Sequence, residues 1–345
     1  MFKDTTKGGN RWRNSGAGST VIRRCVRVMV SLSVLSLMGA SVEAQPNYPS
    51  GPVTFVVPLP PGGTVDVLSR SVAERLQSYT DQPYVVENVT GGATTIAAQR
   101  VARAPADGYT ILVATSSTLS SNPHFYRKLG YKISDFEPIT LLSENEFIVH
   151  VRKALPVSSV KELIAYAAGT PGGVTFATVG RGSTSEVLGE LMKATWKVQM
   201  RDVPYRGAPP AMMDVMNGVV DMHFDNITST IPHLGSGRTK IIATTGEKRT
   251  PLMPDVPTLA ELGYPNMTMT NIFAMLAPKD TPRPIIDKLN SLVHRALEEP
   301  QIIKAWNDQG APPQPTTPEQ LAEVMAANSA VYEKAVRELK LQPID

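Results

Sequence analysis

Residues 53–66 read VTFVVPLPPGGTVD, and the order of these residues decides the fold class. The β-branched and aromatic run Val53–Val57 is a buried strand. Prolines end it, Gly62 and Gly63 turn the chain, and Val65, Leu68, Val72, Leu76 and Tyr79 then recur on one helical face. Strand, glycine turn and helix form the repeating unit of a parallel α/β sheet with right-handed crossovers. Outward from it, 84–87 reads as a short strand and 94–104 as a helix. Residues 109–115 (YTILVAT) form a second buried strand, introduced by the turn Ala106-Asp107-Gly108.

The same syntax restarts further on. Strands are expected over 147–151 and Val174–Thr178, with a helix over 158–168 between them. The loop Gly180-Arg181-Gly182 leads into a helix over Thr184–Trp196. A helix over 211–217 with Gly218 as its cap, strands over 219–224 and 240–244, and an extended stretch over 268–277 follow. The remainder is helical, over 284–298, 300–308 and 318–340. Two α/β units result, and the C-terminal helices have no sheet of their own. The organisation expected is therefore a discontinuous domain of 45–146 and 269–345 around a second domain of 147–268.

The N-terminus reads as an export signal. Lys3, Lys7, Arg11, Arg13, Arg23, Arg24 and Arg27 precede the apolar run VMVSLSVLSLM (28–38), and small residues end at Ala44. That order is a secretory signal peptide over 1–44, cleaved after Ala44, and its apolar core falls well short of the roughly 18–20 residues that span a bilayer. The segment holds seven of the 34 Lys and Arg and two of the 31 Asp and Glu, leaving 27 basic and 29 acidic residues and a net charge of −2 over 45–345. No case for nucleic acid or an anionic membrane survives that balance. The single cysteine, Cys25, leaves with the signal, so neither disulfide nor thiolate chemistry is expected. The expected location is the periplasm.

Catalytic signatures are absent: no G-x-S-x-G, no H-E-x-x-H, no P-loop. Gly180-x-Gly182-x-x-Ser185 lacks the last glycine of a dinucleotide site, and the five histidines are scattered without metal-ligand spacing, so neither cofactor nor metal is expected. What remains are two anion-friendly helix starts, one after Gly62-Gly63 and one after Gly180, Gly182 and Ser183. A helix N-terminus leaves N–H groups unpaired and carries about half a positive charge, so it can hold a carboxylate without a cationic side chain. Such loops lie at the carboxyl ends of strands, where open α/β sheets bind ligands. The hydroxyl-rich runs 115–118 and 183–185 add donors. Asp66 suits either the helix dipole or a ligand-orienting role, and Arg206 is a candidate balancing charge.

In this light the chain resembles the periplasmic solute receptors of tripartite tricarboxylate transporters, the Bug family. The resemblance is carried by VTFVVPLPPGGTVD (53–66), PADGYTILVATSST (105–118), SNPHFY (121–126), DFEPITLL (135–142), YRGAPPAMMDVMNGVVDMHFDN (205–226), PDVPTLAELG (254–263) and LAPKDTPRPIIDKLN (276–290), in family order. It implies a type II-like binding protein: two Rossmann-like α/β lobes joined by two crossing strands and closing about a hinge. It implies first-lobe contacts at Pro60, Pro61, Gly62, Gly63, Asp66, Ser116 and Ser117. Second-lobe contacts fall at Gly182, Ser183, Thr184 and Ser185, with Asp225 beside the cleft. It also implies a small carboxylate or amino-acid-like ligand, and delivery by a monomeric receptor to a two-component membrane permease. Glu186 stands where the family commonly has histidine.

Glu186 also closes a capping box with Ser183: the serine accepts the N–H of residue 186, and the glutamate reaches back to the N–H of Ser183. Its charge would disfavour a dicarboxylate and favour a monocarboxylate, amide or amino acid. Two alternatives stand beside transport. One is a receptor that signals to a membrane sensor; the other is a hydrolase or isomerase using Asp66, Asp225 or Glu186 as base.

Overall fold

The computed structural model describes residues 48–340. The signal peptide, its cleavage point and Cys25 lie outside the described residues. Among the described residues nine strands form one continuous hydrogen-bonded array: β1 (Val53–Val57), β2 (Tyr84–Asn88), β3 (Thr110–Thr115), β4 (Phe136–Arg152), β5 (Val174–Thr178), β6 (Met200–Pro204), β7 (Met222–Asn226), β8 (Thr239–Thr244) and β9 (Thr270–Pro278). Their order is β2-β1-β3-β9-β4-β7-β5-β6, with β8 also on β4.

The array is two-lobed because β4 serves both halves. Residues 136–146 pair antiparallel with β9, and residues 147–152 pair antiparallel with β7 and β8. Within each lobe the strands are parallel, β2-β1-β3 on one side and β7-β5-β6 on the other. The parallel expectation thus holds inside each lobe, and the antiparallel pairs sit where β4 and β9 link them. The strand expected over 147–151 is only the end of β4, which is 17 residues long. The strand expected over 219–224 starts later, at Met222. Val219 and Val220 turn off the preceding helix, their N–H groups both directed at the Asp214 carbonyl.

Both faces of the first sheet are covered, which explains its uninterrupted apolar strands. Phe55 and Val57 point into one buried cluster with helices Thr64–Thr80 and Arg283–Leu297, whereas Val56 and Leu112 point into another with Ala97, Ala98 and Leu321. The second lobe has its own core around Phe176, Phe224, Leu188 and Met192. The last helix, Pro318–Leu339, contributes to both lobes: Leu321 and Met325 pack with Leu112, and Tyr332 and Ala335 pack with Phe176. Helix Ala208–Asn217 starts three residues before the expected 211, since Pro209 and Pro210 occupy a first turn whose N–H groups need no helical partner. Among the described residues no helix is long and apolar enough to cross a membrane.

Candidate ligand-binding cleft

The loop after β1 is held by its own helix. Gly62, at φ +85°, donates its N–H to Asp66 Oδ2 at 3.0 Å, and Asn88 bridges Asp66 Oδ1 and the Leu59 carbonyl. Arg70 adds an ion pair at 2.9 Å. Burial pushes the Asp66 carboxyl up, but hydrogen bonds from Arg70, Gly62 and Asn88 outweigh it and hold the group below the usual carboxylate range. Asp66 is therefore fully engaged in shaping the loop. Pro60 abuts Gly207 of the second lobe, where a Cβ would lie 2.6 Å from the proline ring.

The loop after β5 is built in a similar way. Gly182 is at φ +79°, donates its N–H to Glu186 Oε2 at 2.5 Å, and accepts the Ser121 hydroxyl at its carbonyl at 2.5 Å. Ser183 Oγ accepts the Glu186 N–H at 3.3 Å, as the capping box requires. The return bond differs from expectation: the N–H of Ser183 is already given to the Gly180 carbonyl, so Glu186 holds Gly182 instead. Arg181 lies 3.1 Å from Glu186 Oε1. Burial nevertheless raises the Glu186 carboxyl, opposed by Gly182 and Arg181. Ser185 Oγ accepts the Val179 N–H, and the Thr184 N–H reaches across the cleft to Ser117 Oγ at 3.3 Å.

Two cavities follow from these loops. The inner one, about 40 Å³, is walled by the ends of β3, β5 and β7 and the start of helix Thr184–Trp196, and Ser117, Thr184, Ser185 and Asp225 line it. The outer one, about 440 Å³, lies between Gly62 and Thr64 on one side and Met212, Ser229 and His233 on the other. Asp225 lines both. Thr64 Oγ1 and Ser229 Oγ, 3.1 Å apart, close the cleft on the outer side. The two helix starts thus line separate cavities that share Asp225, where a single cleft facing both was expected.

Pro60, Pro61, Gly63, Asp66, Ser116, Gly182, Ser183 and Glu186 line neither cavity. Ser116 instead ties β3 to β9, donating its N–H to Asn271 Oδ1 and accepting the Ile272 N–H. Arg206 is exposed and lines neither. The inner cavity also takes Thr115, from the hydroxyl-rich run flagged as a source of donors, and Thr94, Asn226 and Asn271, which sequence reasoning did not name. Asn226 stood one step along from the flagged Asp225; Asn271 is brought in by the crossing of β9 and left no local signal.

Among the lining residues of both cavities there is no lysine or arginine. The acid they share, Asp225, is buried. Burial pushes its carboxyl up to about 7, partly opposed by the Asn226 N–H and the Ser229 hydroxyl. His223 and His150 are fully buried, and desolvation lowers them to about 4 and about 3. No group of three or more His, Cys, Asp or Glu among the described residues could hold a metal ion. The arrangement offers backbone and hydroxyl donors between the lobes, which suits an anion held by hydrogen bonds.

Residues 68–341 match the sequence model of the tripartite tricarboxylate transporter family receptor. The chain belongs to this family. Protein BugT of Bordetella pertussis (strain Tohama I) is 34% identical over 303 residues, covering 87% of this chain and 93% of that protein. Among solved structures, an R. palustris protein with adipate is 34% identical with a TM-score of 0.83, covering 86% of this chain and 100% of its own. MatC from Rhodopseudomonas palustris with bound malate is 32% identical with a TM-score of 0.80, covering 84% and 100%. These structures share the two-lobed fold described above.

Proposed function

We propose that the chain is a periplasmic receptor that captures one small organic acid between its lobes and delivers it to a two-component integral membrane permease. The observation that carries the reading is the inner cavity: the first turn of helix Thr184–Trp196 opens into it, hydroxyls line it, and no lysine or arginine does. A carboxylate is the ligand that such donors hold well. The adipate and malate complexes of two relatives support the same ligand class.

We further propose lobes of 45–146 with 269–345 and of 147–268, with the last helix fastened to both. In this reading Ser117, Thr184, Ser185 and Asp225 touch the ligand. Gly62 contributes from the outer cavity. Pro60, Pro61, Gly63, Asp66, Ser116, Gly182, Ser183 and Glu186 hold the loops that shape the site. Action is by binding rather than turnover, and the receptor works as a monomer after losing its signal at Ala44.

Micromolar affinity corresponds to about −8 kcal/mol, within reach of a few charge-assisted hydrogen bonds of about 1.5–3 kcal/mol each, before ordering costs. The test is mass spectrometry of small molecules released on denaturing freshly purified protein, followed by calorimetry with adipate, malate and whatever is released. A released organic acid that rebinds one to one supports the reading. Release and rebinding of only cationic or neutral compounds would overturn it.

A further inference from the structure

Asp225 is the acid shared by two cavities whose linings hold no lysine or arginine, and its carboxyl group is incompletely partnered. It is 2% exposed; Oδ1 accepts the N–H of Asn226 at 2.8 Å, and Oδ2 has no hydrogen-bond partner. The imidazole nearest to it is His223, with Nε2 4.0 Å from Oδ2. His223 Nδ1 lies 3.0 Å from the Ala177 carbonyl, which can only accept, so Nδ1 carries the proton and donates it. The neutral ring therefore turns a lone pair toward Oδ2, and His223 Nε2 also lacks a partner. Two acceptors therefore face each other, and the Ser229 hydroxyl near the carboxyl does not satisfy Oδ2. Protonating Oδ2 removes its charge from beside the ring lone pair, and at 4.0 Å from Nε2 the O–H is not tied to the ring and is free to serve the cavities that Asp225 lines.

We propose that Asp225 meets the ligand as a neutral carboxylic acid, donating its proton to a ligand carboxylate, so that capture of an organic acid takes up one proton from solvent. The inference rests on the acid-receptor reading of the cleft. An ionised Asp225 beside a bound carboxylate would set two like charges in a low-dielectric space with no lysine or arginine in its lining. The protonated form turns the same residue into a donor, and burial already favours that form near neutrality. No bond other than O–H forms, and the proton comes from the buffer.

The titratable groups on the surrounding elements leave this assignment intact. His150, opposite His223 across β4 and β7, is neutral at neutral pH because of its burial. Asp66 on helix Thr64–Thr80 is paired with Arg70, and Glu186 on helix Thr184–Trp196 is paired with Arg181. His233 is the histidine that lines the outer cavity beside Asp225, so it has its own control.

Calorimetry with adipate between about pH 6.5 and 8.5, in buffers of different ionisation heat, tests the proposal; simple carboxylates are ionised throughout that range. Expected are uptake of about half a proton per ligand near pH 7, more at higher pH, and affinity falling toward tenfold per pH unit on the alkaline side. Asp225→Asn, which keeps an N–H donor, should bind adipate without proton uptake or pH dependence, whereas His233→Gln should behave as the unmodified protein. Adipate binding with no proton uptake, or an unchanged pH profile in Asp225→Asn, would overturn the proposal while leaving the acid receptor standing. If adipate does not bind, carboxyl carbon NMR of the free protein decides. An aspartate signal titrating near neutrality and missing from Asp225→Asn supports the proposal, and titration of Asp225 in the ordinary carboxylate range overturns it.

Discussion

The hydroxyl of Tyr332, in the last helix, lies 2.9 Å from Thr184 Oγ1, at the first turn of the helix that opens into the inner cavity. Tyr332 is fully buried, and burial raises its hydroxyl far above the ordinary tyrosine range. A C-terminal element that also packs beneath the first sheet thus grips the turn of the second lobe that opens into the inner cavity. Tyr332→Phe should leave Thr184 Oγ1 without this partner and lower unfolding stability by about 1–2 kcal/mol. Urea unfolding measures it. A loss below about 0.5 kcal/mol would mean that the hydroxyl pair contributes little in this context.

Gly182 sits where the lobes meet. A Cβ there would lie 2.8 Å from the Tyr126 ring and 2.9 Å from Asn122 Oδ1, on a backbone at φ +79°. Tyr126 also donates to the Arg181 carbonyl, so the contact has no slack. Gly182→Ala should strain the loop by about 1 kcal/mol or more and wedge the lobes apart, with weaker ligand binding. Small-angle scattering should show a larger radius of gyration than the unmodified protein under saturating ligand. Equal radii and equal affinities would show that the loop adapts without opening the cleft.

How much of this was legible follows from where each signal lies. Val53–Val57 and Thr64–Thr80 could be read because one period governs each segment and glycines mark the boundary. The first half of β4 could not: Glu137, Pro138, Glu144 and Glu146 interrupt its apolar pattern. Its register with β9 also shifts between Pro138 and Thr140 and again between Leu141 and Ser143, so strict alternation is lost. The loops of the candidate site were visible as glycine turns, but their internal wiring was not. That Glu186 holds Gly182 rather than Ser183 depends on a carbonyl, at Gly180, that only the folded turn brings into place.

Glu186 bears on specificity through that wiring. Its carboxylate lines neither cavity, accepts the Gly182 N–H and faces Arg181, so little of its charge reaches a ligand directly. Glu186→Gln retains an acceptor for Gly182 and loses only a pair with an arginine whose side chain is 58% exposed, a contact of small net worth. The expected result is a dicarboxylate-to-half-amide affinity ratio within about twofold of the unmodified protein, that is, within about 0.4 kcal/mol. Calorimetry with adipate and its half-amide measures it. A selective gain for adipate would establish that the charge acts on the ligand after all.

The buried acid and the two buried histidines give folding stability opposite dependences on pH. His150 and His223 have folded values of about 3 and about 4 against an ordinary 6.5, so the unfolded chain binds protons that the folded chain refuses. Their contribution is complete above about pH 6.5 and is lost as pH falls toward 4, at up to about 1.4 kcal/mol per pH unit for each histidine. Asp225 runs the other way. Its folded value is about 7 against an ordinary 3.8, so the folded chain holds the extra proton and stability declines as pH rises from about 4 to 7. Over that window Asp225 offsets one of the histidines, and the combined contribution of the three is greatest near pH 6.5. Asp225→Asn removes the opposing slope. It should steepen the rise in stability between about pH 4.5 and 6.5, and gain most over the unmodified protein above pH 7, by an amount on the order of a few kcal/mol. Urea unfolding of both proteins at about pH 5 and about pH 8 gives the comparison. A difference between them that is the same at both pH values would mean that Asp225 has the same proton affinity folded and unfolded, and the opposed slopes would not exist.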